Sequence, residues 1–126
     1  MTEDTPAPDA SLGLVLDCAD PKALAPFWAA VLRYVTVGAV DNYTLLTPDG
    51  REGPNLLLQR VPEVKAGKNR MHLDLHVPDI EAEAARLVAL GAQRLEASPS
   101  IEHGSTWIRM ADPDGNEFCV CDHTDG

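Results

Sequence analysis

The sequence predicts an α+β fold in which two tandem βαβββ modules form a curved mixed sheet around a cavity, with the helices outside. Three observations predict it. A strand followed by an amphipathic helix begins at Gly13 and recurs at His72. An aspartate precedes each helix, and each half later contains Pro-Asp-Gly followed by an apolar strand. Such a repeat indicates duplicated supersecondary units that bury a shared core.

The first half predicts a strand, a helix and three further strands. Apolar residues at alternate positions in 12–16 predict a strand with one apolar face. Asp20 is placed to cap a helix that has Pro21 at its first position, and we expect this helix near residues 21–33. Pro26 lacks a backbone donor and should kink the helix or delay its regular start. Further strands are expected near residues 34–40, 43–47 and 55–61.

The second half repeats this order. Alternating apolar residues in 73–77 predict a strand, and Asp79 is placed to cap a helix near residues 79–90. Gly91 is suited to end that helix in a left-handed conformation. Strands are expected near residues 93–96, 106–110 and 117–121, and the segment 102–105 is expected to be a loop. We therefore expect one domain over 11–122, after a flexible tail at 1–10, with module one at about 11–61, a connector at 62–69 and module two at about 71–122.

Composition excludes several classes of partner. The formal net charge is −10 and the isoelectric point is about 4.6, so we expect neither nucleic acid nor an anionic membrane as a partner. No apolar run approaches the roughly 20 residues that span a bilayer, and the N-terminus does not have the pattern of a secretory signal. The three cysteines suggest no disulfide framework, which favours a cytoplasmic location.

Side-chain parity predicts which residues face a cavity. The leucines and valine of the two first strands must cover their helices, so the opposite faces carry Gly13, Val15 and Asp17 in one half and the histidines and aspartate of 72–76 in the other. A sheet face rich in polar groups is typical of a small-molecule cavity. The predicted ligand-binding residues are Gln59, His72, Asp74, His76, Trp107, Arg109 and Cys119. Phe27 and Trp28 lie on the helical stripe and are expected in the core.

Four segments together resemble the vicinal oxygen chelate superfamily, which includes glyoxalase I, extradiol dioxygenases, fosfomycin-resistance enzymes and bleomycin-resistance proteins. The resemblance covers about residues 11–122 and is closest to the small glyoxalase-like branch. The segments are Asp20-Pro-Lys-Ala-Leu-Ala-Pro-Phe-Trp28, His72-Leu-Asp-Leu-His76, Leu90-Gly-Ala92 and Asp112-Pro-Asp-Gly-Asn-Glu-Phe-Cys119.

The resemblance implies a position for each family metal ligand, normally His or Gln on the first strand and Glu on the last strand of each half. In this chain those positions fall on Gly13, Leu57, His72 and Cys119. Because His72 and Cys119 alone are too few ligands for a catalytic site, we expect no metal cofactor. Asp74 and His76 could add ligands, but alternate residues on a strand lie about 6.6–7 Å apart, so we do not expect His72, Asp74 and His76 all to bind one ion.

Other chemistry of these residues stays open at this point. His72 and Asp74 are candidate catalytic residues as an acid–base pair, or form a polar pair that seals the sheet. Cys119 is a candidate nucleophile or a structural cysteine. Trp107 and Arg109 would supply a stacking surface and an anion clamp.

The leading hypothesis is a cytoplasmic, metal-independent protein that binds a small, partly apolar organic molecule between its modules. The alternative is a metal-dependent lyase, isomerase or dioxygenase of the same superfamily, with a remodelled site around His72 that holds a divalent metal. A third hypothesis is an interaction module whose cavity is filled by its own side chains. The resemblance also implies a homodimer, in which modules pair within a chain or between chains.

Overall fold

The computed structural model describes residues 12–69 and 71–122. The predicted tail at 1–10 lies outside these residues. The first module consists of β1 (Gly13–Cys18), α1 (Pro21–Leu32), β2 (Tyr34–Val40), β3 (Tyr43–Pro48) and β4 (Asn55–Arg60). The second module consists of β5 (Leu73–Val77), α2 (Ile80–Ala89), β6 (Gln93–Arg94), β7 (Ser100–Glu102), β8 (Ser105–Ala111) and β9 (Glu117–Asp122).

Each module builds its own mixed sheet. The first sheet has the strand order β1-β4-β3-β2, and the second has the order β5-β9-β8-β6 with β7 paired to β8. The first strand of each module runs parallel to its last strand, and the remaining pairs are antiparallel. The predicted α+β fold of two βαβββ-type modules is therefore confirmed. The predicted loop over 102–105 is the tight hairpin turn between β7 and β8, in which Glu102 pairs with Ser105, whereas the strand β7 before it was not predicted.

Local sequence signals set the helix ends. The Asp20 carboxylate accepts hydrogen bonds from the backbone N–H groups of Lys22 and Ala23, at 3.2 and 3.4 Å, and Asp79 caps α2 in the same way. Gly91 follows α2 with a φ of +118°, a backbone conformation that glycine adopts readily. The start of α1 is not delayed by Pro26, because the helix begins at Pro21 and continues to Leu32.

The core lies between the sheets and the helices, as the parity argument predicted. Trp28 and Phe27 of α1 are both buried and pack beside Phe118 of β9, and the Trp28 and Phe118 ring centroids are 5.2 Å apart. Leu14 and Leu16 pack against this core, but Leu12 is 72% exposed because it precedes β1. No helix in the described ranges is long and apolar enough to cross a membrane.

A buried aspartate joins the modules. Asp112, in the turn between β8 and β9, is 3% exposed, and its carboxylate accepts the indole N–H of Trp28 at 2.9 Å. The same carboxylate accepts the backbone N–H groups of Asp114 and Asn116, both at 2.8 Å, and the Asn116 side-chain amide at 3.1 Å. Asn116 also donates to the backbone carbonyl of Asp17 in β1 at 3.2 Å. One carboxylate therefore links the second module's turn to the first module's helix.

We expect Asp112→Ala to lower the free energy of unfolding by about 3 kcal/mol, because it leaves several buried donors without an acceptor. Urea unfolding measures the effect. Asp79→Ala is the matched control: it removes one exposed capping bond and should cost roughly 1 kcal/mol. Equal losses in the two variants would show that Asp112 does not hold the modules together.

Candidate functional site

The face of each sheet that points away from its helix is called its outer face. On the second sheet, this face carries two rows of polar and aromatic side chains. The strand register places Asp74 beside Cys119 and Cys119 beside Arg109. The next row, two residues along each strand, aligns His76, Cys121 and Trp107. Ile108 and Met110, at the intervening positions of β8, are fully buried on the other face. Because side chains alternate along a strand, β8 places polar and aromatic residues on the outer face and apolar residues in the core.

These rows line a cavity of about 370 Å³. Six of the seven predicted ligand-binding residues lie around it, all in the second module. They are His72, Asp74, His76, Trp107, Arg109 and Cys119. These six side chains therefore share one face of the sheet, as side-chain parity predicted. Their role in ligand binding remains a prediction.

Gln59 does not line this cavity. It lies on β4 in the first module, paired with Asp17 on one side and Tyr43 on the other. It occupies the position equivalent to Cys121, as the repeat predicts, but on the other sheet. Within one chain, the two sheets do not enclose this cavity between them.

Three cavity residues were absent from the predicted set: Lys68, Ser105 and Cys121. Ser105 and Cys121 share strand parity with Trp107 and Cys119, so alternation alone was sufficient to find them. Lys68 belongs to the connector between the modules, where no periodic pattern signals the direction of a side chain.

His72 and Asp74 meet at the cavity wall. The Nε2 atom of His72 lies 3.1 Å from Oδ1 of Asp74, and the two side chains are 41% and 47% exposed. Both interpretations of this pair from the sequence, acid–base chemistry and a polar contact, require the two side chains to meet as they do. His72 precedes the first residue of β5, and its long ring closes the gap to the carboxylate.

Arg109 is already paired with acidic side chains. Its guanidinium lies 3.3 Å from Glu117 and 3.5 Å from Glu96. The two carboxylates hold the guanidinium in place and offset its charge, which weakens the predicted anion clamp. Among the described residues, Lys68 has no carboxylate within ion-pair distance, so it is the cation better placed to meet an anionic group.

Burial keeps the cavity thiols protonated. It raises the pKa of Cys119, with the Asp74 carboxylate as the next contribution in the same direction, while Arg109 and Lys68 oppose the shift. Burial and then Asp74 raise the pKa of Cys121 to about 12. Because the thiolate is the nucleophile, these shifts argue against Cys119 as a nucleophile and favour its structural interpretation.

The first module has an equivalent row with different chemistry. Val15 pairs with Leu57 in the parallel register that joins Asp74 to Cys119 in the second module. Leu57 also pairs with Leu45, as Cys119 pairs with Arg109. This row has no metal-binding side chain, and neither does Gly13 at the start of β1. The residues present therefore do not fit a metal site whose ligands come from both modules.

A second cavity, of about 250 Å³, lies between the modules. Its walls combine apolar residues, among them Leu14, Trp28 and Phe118, with polar residues such as Asp17, Asn116 and Glu117. His72 lines this cavity as well as the polar one. The polar cavity has the larger number of convergent functional groups and is the better candidate site.

The family follows from comparison with known proteins. The family model described as "Glyoxalase-like domain" matches residues 13–121, and the chain belongs to this family. This match confirms the resemblance to the glyoxalase-like branch that the sequence motifs indicated. A search of the curated proteins finds no significant match.

Solved structures show the same fold at low sequence identity. A glyoxalase/bleomycin resistance protein/dioxygenase family enzyme from Burkholderia phytofirmans PsJN has a TM-score of 0.71 and 14% identity, over 86% of this chain and 94% of that one. A fosfomycin resistance protein from Mesorhizobium loti has a TM-score of 0.70 and 15% identity, over 94% and 96%. A lactoylglutathione lyase from Agrobacterium tumefaciens has a TM-score of 0.65 and 20% identity, over 92% and 95%.

We expect the thiols of the native protein to react with iodoacetamide far more slowly than those of the unfolded chain at about pH 8. A pKa of about 11 for Cys18, raised from 9.0, lowers its thiolate population roughly a hundredfold, and Cys121 should be slower still. Mass spectrometry of alkylated peptides over time, in native buffer and in urea, measures the difference. Rapid native labelling of Cys119 would instead restore it as a candidate nucleophile.

Proposed function

We propose that this protein binds a small, partly apolar organic molecule in the polar cavity of its second module. One observation carries the proposal: a single cavity of about 370 Å³ brings together an aromatic ring, a histidine–carboxylate pair and a lysine. Pockets that combine an apolar surface with a few convergent polar groups are typical of small-molecule sites.

Trp107 is the residue that would contact the apolar part of the ligand. Its ring lies on the cavity side of β8, in the row with Cys121 and His76. An aromatic ring offers a large stacking surface at a small entropic cost. Lys68 offers a charge for an anionic group at the edge of the same ligand. In the metal-free protein, His72 and Asp74 are the pair to which we assign any proton transfer, because their nitrogen and oxygen atoms are 3.1 Å apart.

We further propose that two chains form a homodimer in which the first module of one chain covers the polar cavity of the other. The outer face of the first sheet carries Val15, Leu45, Leu57, Tyr43 and Val40 in adjoining rows. Val15, Tyr43 and Val40 are exposed large hydrophobic residues. Gln59 and Asp17 interrupt the second of these rows. An exposed patch dominated by apolar residues marks an interaction surface, and a second copy would give the ligand a largely apolar wall opposite Trp107.

A cytoplasmic location is part of the proposal. All three cysteines are free and buried, and none is paired in a disulfide. Free thiols of this kind are usual in a reducing compartment.

We expect an aromatic sulfonate probe, 1-anilinonaphthalene-8-sulfonate, to bind the cavity in buffer containing EDTA, and Trp107→Ala to weaken that binding about tenfold. The reason is loss of the stacking surface, worth about 1.4 kcal/mol. A fluorescence titration measures the affinity.

The matched control for this titration is Val88→Ser, which removes an exposed apolar side chain from the outside of α2. Affinity should be unchanged in this variant. The proposal would be contradicted if Trp107→Ala left the probe affinity unchanged, or if Val88→Ser reduced it equally. Either result would mean that the probe binds exposed apolar surface in general and not the proposed site.

We expect the purified protein to sediment as a dimer at micromolar concentration, and Val15→Asp to sediment as a monomer. Val15 is 55% exposed on the outer face of β1, so a charge there should disrupt an interface without disturbing the core. Val88→Asp, at a residue that is 47% exposed on α2, should leave the dimer intact. Analytical ultracentrifugation of the three proteins tests this, and a monomeric wild-type chain would refute the dimer.

A further inference from the structure

Three different metal-binding atoms converge in the polar cavity. Nitrogen, oxygen and sulfur atoms of His72, Asp74 and Cys119 all lie within 4.8 Å of one another. Two premises from the sequence opposed a metal site: the first module lacks ligands, and strand spacing disfavours several residues of one strand on the same ion. The structure upholds the first premise, but it brings His72 and Asp74 within 3.1 Å of each other, beside Cys119 of the neighbouring strand.

We propose that His72, Asp74 and Cys119 bind one zinc ion within a single module. Zinc takes imidazole nitrogen, carboxylate oxygen and thiolate sulfur in tetrahedral sites, whereas magnesium and calcium require mainly oxygen ligands. On binding, the sulfur–zinc bond replaces the S–H bond of Cys119, and the proton leaves to solvent. A neutral imidazole, a carboxylate and a thiolate then carry a total charge of −2, which balances the ion.

The side chains have the freedom that this site requires. Ligand atoms around tetrahedral zinc are roughly 3.3–3.8 Å apart, given zinc–ligand bonds of about 2.0–2.3 Å. A separation of up to 4.8 Å therefore requires a closure of about 1 Å. His72 and Asp74 are 41% and 47% exposed, so their side chains can rotate, while the buried Cys119 provides a fixed anchor.

This arrangement differs from a site shared between modules. All three ligands lie between residues 72 and 119, and the equivalent positions of the first module hold Gly13, Val15 and Leu57, which supply no ligand. One chain is therefore sufficient. Three protein ligands leave one position of a tetrahedral ion open to the cavity, where the proposed organic ligand would bind.

The test uses untagged protein, first stripped with EDTA and then titrated with Co²⁺ alone, which reports thiolate ligation through a sulfur-to-cobalt charge-transfer absorption band. We expect a band that saturates near one equivalent per chain, is abolished by an equivalent of Zn²⁺ and persists in excess Mg²⁺. Cys119→Ser should lose the band, and His72→Ala should weaken binding by at least about tenfold. The His72 side chain is 41% exposed and lies outside the core, so the second variant remains informative even where Cys119→Ser fails to fold.

Two matched controls complete the experiment. Cys18→Ser removes a buried thiol of the first module, and His103→Ala removes an exposed histidine from the hairpin turn. Both should keep the band and its stoichiometry. Absence of the band in the wild type, half an equivalent per chain, or loss of the band in either control would overturn the proposal. Because the probe titration is performed in EDTA, failure of metal binding leaves the proposed organic-ligand site standing, and the converse also holds.

Discussion

The buried carboxylate of Asp112 joins the two modules through hydrogen bonds to both of them. A carboxylate removed from water is costly unless hydrogen bonds replace its hydration. Here it accepts bonds from its own turn and from the Trp28 indole of the other module. The first half has Thr47 before its Pro-Asp-Gly, so the contact is made once and not twice. The duplicated chain is therefore joined by an asymmetric interaction, with the Trp28 and Phe118 rings packed beside it.

Duplication preserved the backbone register and changed the chemistry of the exposed face. The row formed by Val15, Leu57 and Leu45 corresponds to the row formed by Asp74, Cys119 and Arg109. The inward faces stay apolar in both modules, because both must cover a helix. The outward faces were free to diverge, one toward an apolar surface and the other toward a polar cavity. This difference is the physical basis for assigning association to one module and ligand binding to the other.

Asp74 has opposite effects on the two kinds of chemistry considered for the cavity. Its negative charge adds to burial in raising the pKa of the Cys119 and Cys121 thiols, which suppresses nucleophilic attack. The same charge would stabilise a cation bound beside Cys119, and a metal ion reverses the local preference by favouring the thiolate. A site that is poor for covalent catalysis by cysteine is thus compatible with binding of a soft metal ion.

The sequence by itself determined the repeat, the helix caps and the face on which each strand residue lies. Those features depend on neighbours along the chain and on the two-residue period of a strand. Only the tertiary structure decided which of these faces meet. It placed Gln59 on a separate sheet from the cavity, brought Lys68 in from the connector and added the strand β7, which no sequence pattern had indicated. It also closed His72 onto Asp74, because the distance between two side-chain tips depends on rotamers and strand ends that spacing along the backbone does not specify.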